Sequence, residues 1–332
     1  METNRATELS QFKEQINLSE YAASIGYCID RTESSKNSIV MRKGDDKIII
    51  ALSAESQHYI YFSVRDDNDN GTIIDFIQNR TNESLGFVRK ELRPWIGESA
   101  IQRPIIESYE KNIQPTQKDR EHILREFSKL KVISDHPYLI ERGISEVTQI
   151  HKRFLGKIYR DTKRNVAFPH YDEKGLVGFE LKNKNFTGMP KGSSKTVWIS
   201  NAFKTDKRLV ITESGIEALS HFSLFKNLHD RYISMGGSWS PQAAKLVALM
   251  ISKFKGSDLV LAFNNDNAGR EMIAKLQAFL EKENLIETLK LIIEKPKQDN
   301  YDWNNVLKEK IEQKENLNKS RTPKQKTAIS VD

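Results

Sequence analysis

Cysteine is nearly missing from this chain. Cys28 stands alone among 332 residues, which excludes an intrachain disulfide and any structural zinc site built on several thiolates. Long apolar runs are missing too: no stretch approaches the roughly 20 residues of a membrane-spanning helix. The opening METNRATELSQFKEQINL lacks the basic-then-apolar order of a secretory signal. Nor is there a Gly-x-x-x-x-Gly-Lys-Ser/Thr phosphate loop, so any unwinding of nucleic acid would come from a partner. Together these absences predict a soluble, cytoplasmic protein with no membrane partner.

What is present is a basic chain with enough apolar residues to fold. Hydrophobic residues make up 38%, which suffices for two or three domains with buried cores and excludes a disordered protein. Lys and Arg number 52 against 45 Asp and Glu, for a net charge of +7, which favours an anionic partner such as nucleic acid.

The chemistry concentrates in Arg208–Ser220, RLVITESGIEALS, and Asp258–Arg270, DLVLAFNNDNAGR. Each opens with an apolar run of strand length and ends in acidic or amide residues, followed by a helical pattern. In a parallel sheet such strand ends open onto one crevice, which would bring Glu213 and Asp266 together. Two carboxylates about 4 Å apart repel by about 1 kcal/mol in water and roughly 4 at an effective dielectric of 20, so a cluster of them calls for a cation. Mg2+, a hard ion that takes carboxylate and water oxygens, is the natural candidate, with Mn2+ beside it.

At these residues the sequence resembles the Toprim domain of bacterial primases, topoisomerases and several nucleases. Ile211-Thr212-Glu213 matches its first strand end, and Asn264-Asn265-Asp266-Asn267-Ala268-Gly269-Arg270 matches its Asp-x-Asp element. Tyr232–Ala243 looks like the middle strand, glycine turn and helix start, with Ser240 as N-cap and Pro241 at the first helical position. Asp299–Asn304 resembles the last acidic element. The chain departs from the family at Asn264, where Asp is usual; an amide oxygen coordinates a metal without contributing charge. The resemblance implies Glu213, Asp266 and Asp302 as catalytic residues, the same three with Asn264 as metal ligands, and Glu217 in support.

The likeness extends upstream. Tyr138–Ser145 is similar to the Tyr-Leu-x-x-Arg-Gly-Ile element that opens the primase core, and the stretch from Arg164 through Gly175 is similar to its Arg-x-x-Phe-Pro-x-x-Asp-x-x-Gly pattern. Arg142, Arg164, Lys182, Lys184, Lys191, Lys195 and Arg270 are the candidate contacts to nucleotide phosphates or template. Residues 1–97 resemble the primase zinc-binding module, with a helix over Phe12–Ile25, strands at Ser38–Arg42, Lys47–Leu52 and Tyr59–Val64, and helices over Thr72–Gln78 and Ser84–Leu92. Its zinc ligands are absent, so no zinc is expected. Tyr59, Tyr61, Phe62 and Arg65 are either core residues or contacts to single strands.

The expected fold class is therefore α/β. A Toprim-like domain over 205–310, mostly parallel sheet flanked by helices, follows a small α+β module over 1–97, a linker over 98–119 and a primase-core-like subdomain over 120–204. A disordered tail is expected over 311–332. The resemblance to proteins of plasmids and conjugative elements implies a nucleotidyltransferase using single-stranded DNA and nucleoside triphosphates, with a helicase or relaxase as partner. The alternatives are Toprim-type phosphodiester cleavage and a catalytically weakened DNA-binding accessory protein.

Overall fold

The computed structural model describes residues 2–53, 56–65, 69–96, 113–114, 117–237, 239–287 and 289–321. The chain divides into two units, Met1–Gln117 and Lys118–Asp332. Most of the linker expected over 98–119 lies outside the described residues. No helix among the described residues is long and apolar enough to cross a membrane.

The first unit runs α1 (Glu2–Gln15), α2 (Leu18–Ser24), β1 (Cys28–Ile29), β2 (Ser38–Lys43), β3 (Asp46–Leu52), β4 (Tyr59–Ser63), β5 (Asn70–Gly71), α3 (Ile73–Thr81) and α4 (Leu85–Leu92). The strands form one antiparallel sheet in sequential order. The single helix expected over Phe12–Ile25 is instead two. Asn17 breaks it, because its side-chain oxygen accepts the Ser19 N–H at 2.9 Å and starts α2 afresh. Thr72 begins α3, its N–H donating to Asp75 Oδ2 at 2.7 Å, and Ser84 caps α4.

Alternate residues Ile39, Met41, Ile48, Ile50 and Tyr61 turn inward onto Phe12, Leu18 and Phe76. Tyr61 is thus a core residue, while Phe62, next along the strand, is 45% exposed. Arg80 of α3 ties the unit's edge together. Its guanidinium reaches Asp46 at 3.0 Å and Asp69 at 3.1 Å, donates to Tyr27 Oη at 2.7 Å, and lies 4.1 Å from the centre of the Phe76 ring.

The second unit contains α5 (Arg120–Phe127), β6 (Lys131–Val132), α6 (Pro137–Glu141), α7 (Glu146–Gln149), β7 (Tyr159–Arg160), β8 (Val166–Asp172), β9 (Gly175–Asn183) and β10 (Phe186–Gly188). These are followed by β11 (Trp198–Ile199), β12 (Arg208–Thr212), α8 (Gly215–Phe225), β13 (Asp230–Ser234), α9 (Pro241–Lys253), β14 (Asp258–Ala262), α10 (Asn267–Lys282), β15 (Lys290–Glu294) and α11 (Trp303–Arg321). Strands β6 to β10 make one antiparallel sheet. The other has the order β11-β13-β12-β14-β15, parallel except for β11.

The parallel strands are apolar on both faces, as burial between two helical layers requires. Val210, Tyr232 and Val260 face α8 and α11, while Leu209, Ile211, Ile233, Leu259 and Leu261 face α9 and α10. The first of these cores also takes in Leu139, Phe154, Phe168 and Trp198, so the segment upstream of β12 shares a core with the parallel sheet. The disordered tail expected from 311 is corrected in part: α11 continues as helix to Arg321, with Leu307 buried and Ile311 packed on the same core. Residues 322–332 lie outside the described ones.

Where α8 begins, Gly215 meets β8. A Cβ there would come within 2.4 Å of the Phe168 ring, which is fully buried and set edge-on against Trp198. Gly215→Ala should therefore lower stability by about 1–3 kcal/mol, read by urea unfolding. Wild-type stability would show that this contact has slack.

Candidate active site at the carboxyl ends of the parallel strands

Strands β12 and β14 pair in parallel with Thr212 opposite Ala262, so Glu213 and Phe263 leave the sheet side by side. The chain passes from β12 to β13 on one side and then to β14 on the other, which opens a crevice at these carboxyl ends. Glu213 is held by its backbone as well as its side chain. Its carbonyl accepts the Gly237 N–H at 2.8 Å, and its Oε2 accepts from the Asn264 amide at 2.9 Å.

Asp266 caps α10, its Oδ1 accepting the Gly269 N–H at 2.7 Å. Glycine is needed there because a Cβ would stand 2.1 Å from the Asn264 carbonyl oxygen. Asp302 does the same for α11, accepting the Asn305 N–H at 2.6 Å. It reaches this rim because the segment before α11 is stitched to the end of β14. Trp303 Nε1–H donates to the Ala262 carbonyl at 3.0 Å. Buried Asn265 donates its amide to the Gln298 carbonyl and to Asp299 Oδ1, and exchanges backbone hydrogen bonds with Asn300 and Tyr301. Within the Asn-x-Asp motif, the middle residue is therefore the anchor.

Burial pushes the Glu213 carboxyl up to about 7, and the charges of Asp266 and Asp302 push the same way against Lys182 and Lys195. Glu217, buried one turn along α8, is raised well above the ordinary carboxylate range by burial, then by Glu213 and Asp302. Ser214 donates its hydroxyl to Glu217 Oε1 at 3.0 Å. Glu217 Oε2 and Asn264 Oδ1 are buried without hydrogen-bond partners.

Among the described residues no group of three or more His, Cys, Asp or Glu is disposed to hold a metal. The carboxylates of Glu213, Asp266 and Asp302 each accept from a nearby N–H donor, two of them at helix starts. In donor chemistry the rim still fits a hard divalent ion. Carboxylate and amide oxygens are its ligands, and Asn264 Oδ1 has no other partner.

The remaining candidates scatter. Lys182 and Lys195 act on Glu213. Lys184 pairs with Glu141 at 2.8 Å, and Arg142 leans over the Tyr138 ring. Arg164 and Lys191 are exposed, as is Arg270, which donates to Asn267 Oδ1 at 2.6 Å. Two residues were not anticipated. Glu180 and His170, both buried, share a face of the β8–β9 hairpin with Lys182. The two-residue period in GLVGFELKN puts Glu180 and Lys182 on one side, but nothing local indicates what that side meets.

A carboxyl raised on folding holds its proton longer in the folded state than in the unfolded chain. Between the ordinary 4.5 and about 7, stability then falls as pH rises, and above that window the loss is complete. Glu213→Gln should consequently melt a few degrees higher than wild type at pH 8, with the gap closing by pH 4. Equal melting temperatures at pH 8 would mean that the carboxylate is solvated.

Residues 210–307 match the family model described as Toprim-like, and residues 137–206 match the one described as a protein of unknown function, DUF3991. No curated protein matches the chain. Among solved structures it is similar to a chain in the bacteriophage T7 lagging-strand DNA polymerase interacting with primase domains of two gp4 subunits bound to an RNA/DNA hybrid and dTTP. That similarity is 20% identity over 54% of this chain and 90% of the other, with a TM-score of 0.34. The acidic rim and the strands that deliver it thus lie in a Toprim-like domain of mixed α/β fold.

Proposed function

We propose that this protein is a primase-like, Mg2+-dependent nucleotidyltransferase acting on single-stranded DNA in the replication or transfer of a plasmid or other mobile element. The observation that carries the reading is the Toprim-like match over 210–307 together with the acidic rim at the ends of β12 and β14, faced by Lys182 and Lys195. Glu213, Asn264, Asp266 and Asp302 would hold the ion. When bound, it supplies Lewis-acid neutralisation of charge on the phosphates.

The chain's own groups have separate tasks. Lys182 and Lys195 bind the nucleotide phosphates. Glu213, at the rim beside the bound phosphates, accepts the proton of the 3′-hydroxyl. That oxygen then bonds to the α-phosphorus as the bond to the β-phosphate oxygen breaks and pyrophosphate leaves. Asp266 and Asp302 fix the rim through their helix caps. In the N-terminal unit, the Arg80 cluster would do the cross-linking that zinc does in primase modules. Strand separation and delivery of template fall to a helicase or relaxase partner.

A second reading has its own observation. Asn264 spends its amide on Glu213 and brings no charge, which favours a DNA-binding accessory factor with a weakened site. Primer synthesis on labelled single-stranded DNA, with nucleoside triphosphates and Mg2+, separates the two. Wild type should extend, while Glu213→Gln and Asp266→Asn should each lose on the order of 100-fold or more. Equal synthesis by the variants would end the proposal. Salt-sensitive DNA binding without synthesis would leave the accessory role, and strand scission without triphosphates would indicate a nuclease.

A further inference from the structure

Lys182 and Lys195 stand between two sets of carboxylates. Register in the β8–β9 hairpin sets Phe168 opposite Glu180, Val166 opposite Lys182 and His170 opposite Gly178, so His170, Glu180 and Lys182 share a face. Lys182 Nζ is 3.5 Å from Glu180 Oε1. That face meets the turn at Gly236 and Gly237. A Cβ on Gly236 would lie 2.5 Å from His170 Cε1 and 3.4 Å from Lys195 Cε, and one on Gly237 would lie 3.8 Å from Lys195 Nζ. Gly237 in turn donates its N–H to the Glu213 carbonyl. Lys182 is therefore seated at Glu180 and Lys195 beside the turn bonded to Glu213, and the charges of both act on the two carboxylates.

Glu180 is 4% exposed and its Oε2 has no hydrogen-bond partner. A carboxylate so placed stays ionised only beside positive charge. His170 is not the source: its Nδ1 accepts the Thr196 N–H at 3.0 Å, and burial holds its pKa down to about 4, so it is neutral. The two ammonium groups supply the charge. Burial works to raise the Glu180 pKa, yet the charges of Lys182 and Lys195 keep it below the ordinary value.

We propose that Lys182 and Lys195 are a built-in counter-cation for the acidic rim, shared with Glu180, and that phosphate draws them away, so that nucleotide and divalent cation bind cooperatively. This rests on the nucleotidyltransferase reading and adds its order of assembly. A divalent ion arriving alone meets two ammonium groups and a rim short of one carboxylate, since position 264 is Asn. A triphosphate engages the ammonium groups and returns negative charge to the rim. Linkage makes the effect reciprocal: each ligand tightens the other by the same factor.

The test is Mn2+ binding to the full chain, followed by calorimetry and by the electron paramagnetic resonance of free Mn2+. It is run with and without a non-hydrolysable nucleoside triphosphate, with Mn2+–nucleotide association in buffer subtracted. Wild type should bind Mn2+ at least tenfold tighter when nucleotide is present. The Lys182→Ala, Lys195→Ala double variant should bind Mn2+ alone at least tenfold tighter than wild type and lose the coupling. Glu180→Gln, which removes the competing seat at nearly constant shape, should shift Mn2+ alone the opposite way, to weaker binding. Equal Mn2+ affinity with and without nucleotide in wild type would overturn the inference and leave the metal site standing. No Mn2+ binding even with nucleotide would bring down the nucleotidyltransferase reading as well.

Discussion

Repulsion between carboxylates at the ends of β12 and β14 is the constraint that the second unit is built to contain. Glu213 leaves the sheet beside the residues that lead into Asp266, and Trp303 docks Asp302 to the same strand end. Three devices limit the cost. Asn264 gives Glu213 a neutral donor, the two aspartates each take an N–H at a helix start, and the charges of two lysines offset that of Glu213. The containment is partial, because burial and the remaining negative charge still leave the Glu213 carboxyl near 7. Strain of this kind is common where a site is kept for function and not for stability.

Much of this is legible in the sequence, for reasons that can be named. The strands of the parallel sheet are short apolar runs ending in turn residues, and Ser240–Pro241 and Ser145 read as helix starts because they are helix caps. The order of acidic elements fixes which strand ends should meet. Less legible is anything that depends on a side chain reaching back along the fold. Asn265 looks like the spacer of its motif, yet it binds the loop at 298–301. His170 and Gly236 meet only because β8 crosses the turn after β13. The length of α11 is also hidden: its composition is that of a solvated tail, and only Trp303, Leu307 and Ile311 mark the stripe that packs.

The first unit solves a related problem with the signs exchanged. There a single guanidinium, largely buried, lies between Asp46 and Asp69 and against aromatic rings, and so joins a strand, a loop and α3 through one group. Arginine suits this because its planar fork serves both carboxylates while its face stacks. Lysine would retain the charge and lose the geometry. Tyr27 pays part of the electrostatic cost, its hydroxyl raised to about 12 by burial and by the hydrogen bond to Asp46.

Asn264 then reads as part of the same balance. Aspartate at this position would set a second carboxylate at hydrogen-bonding distance from Glu213, with no donor between them. In a crevice already holding Glu217, Asp266 and Asp302, that arrangement would require either a bound cation or a proton shared between the two carboxyls. The amide removes this requirement at the expense of charge for attracting an ion. Lys182 and Lys195 lower the attraction further, and under the proposed nucleotidyltransferase reading they are the groups that meet phosphate. Under the same reading, the combination gives a site that is stable before its ligands arrive and that would gather metal and phosphate together, because the negative charge absent from position 264 would be carried in by the substrate.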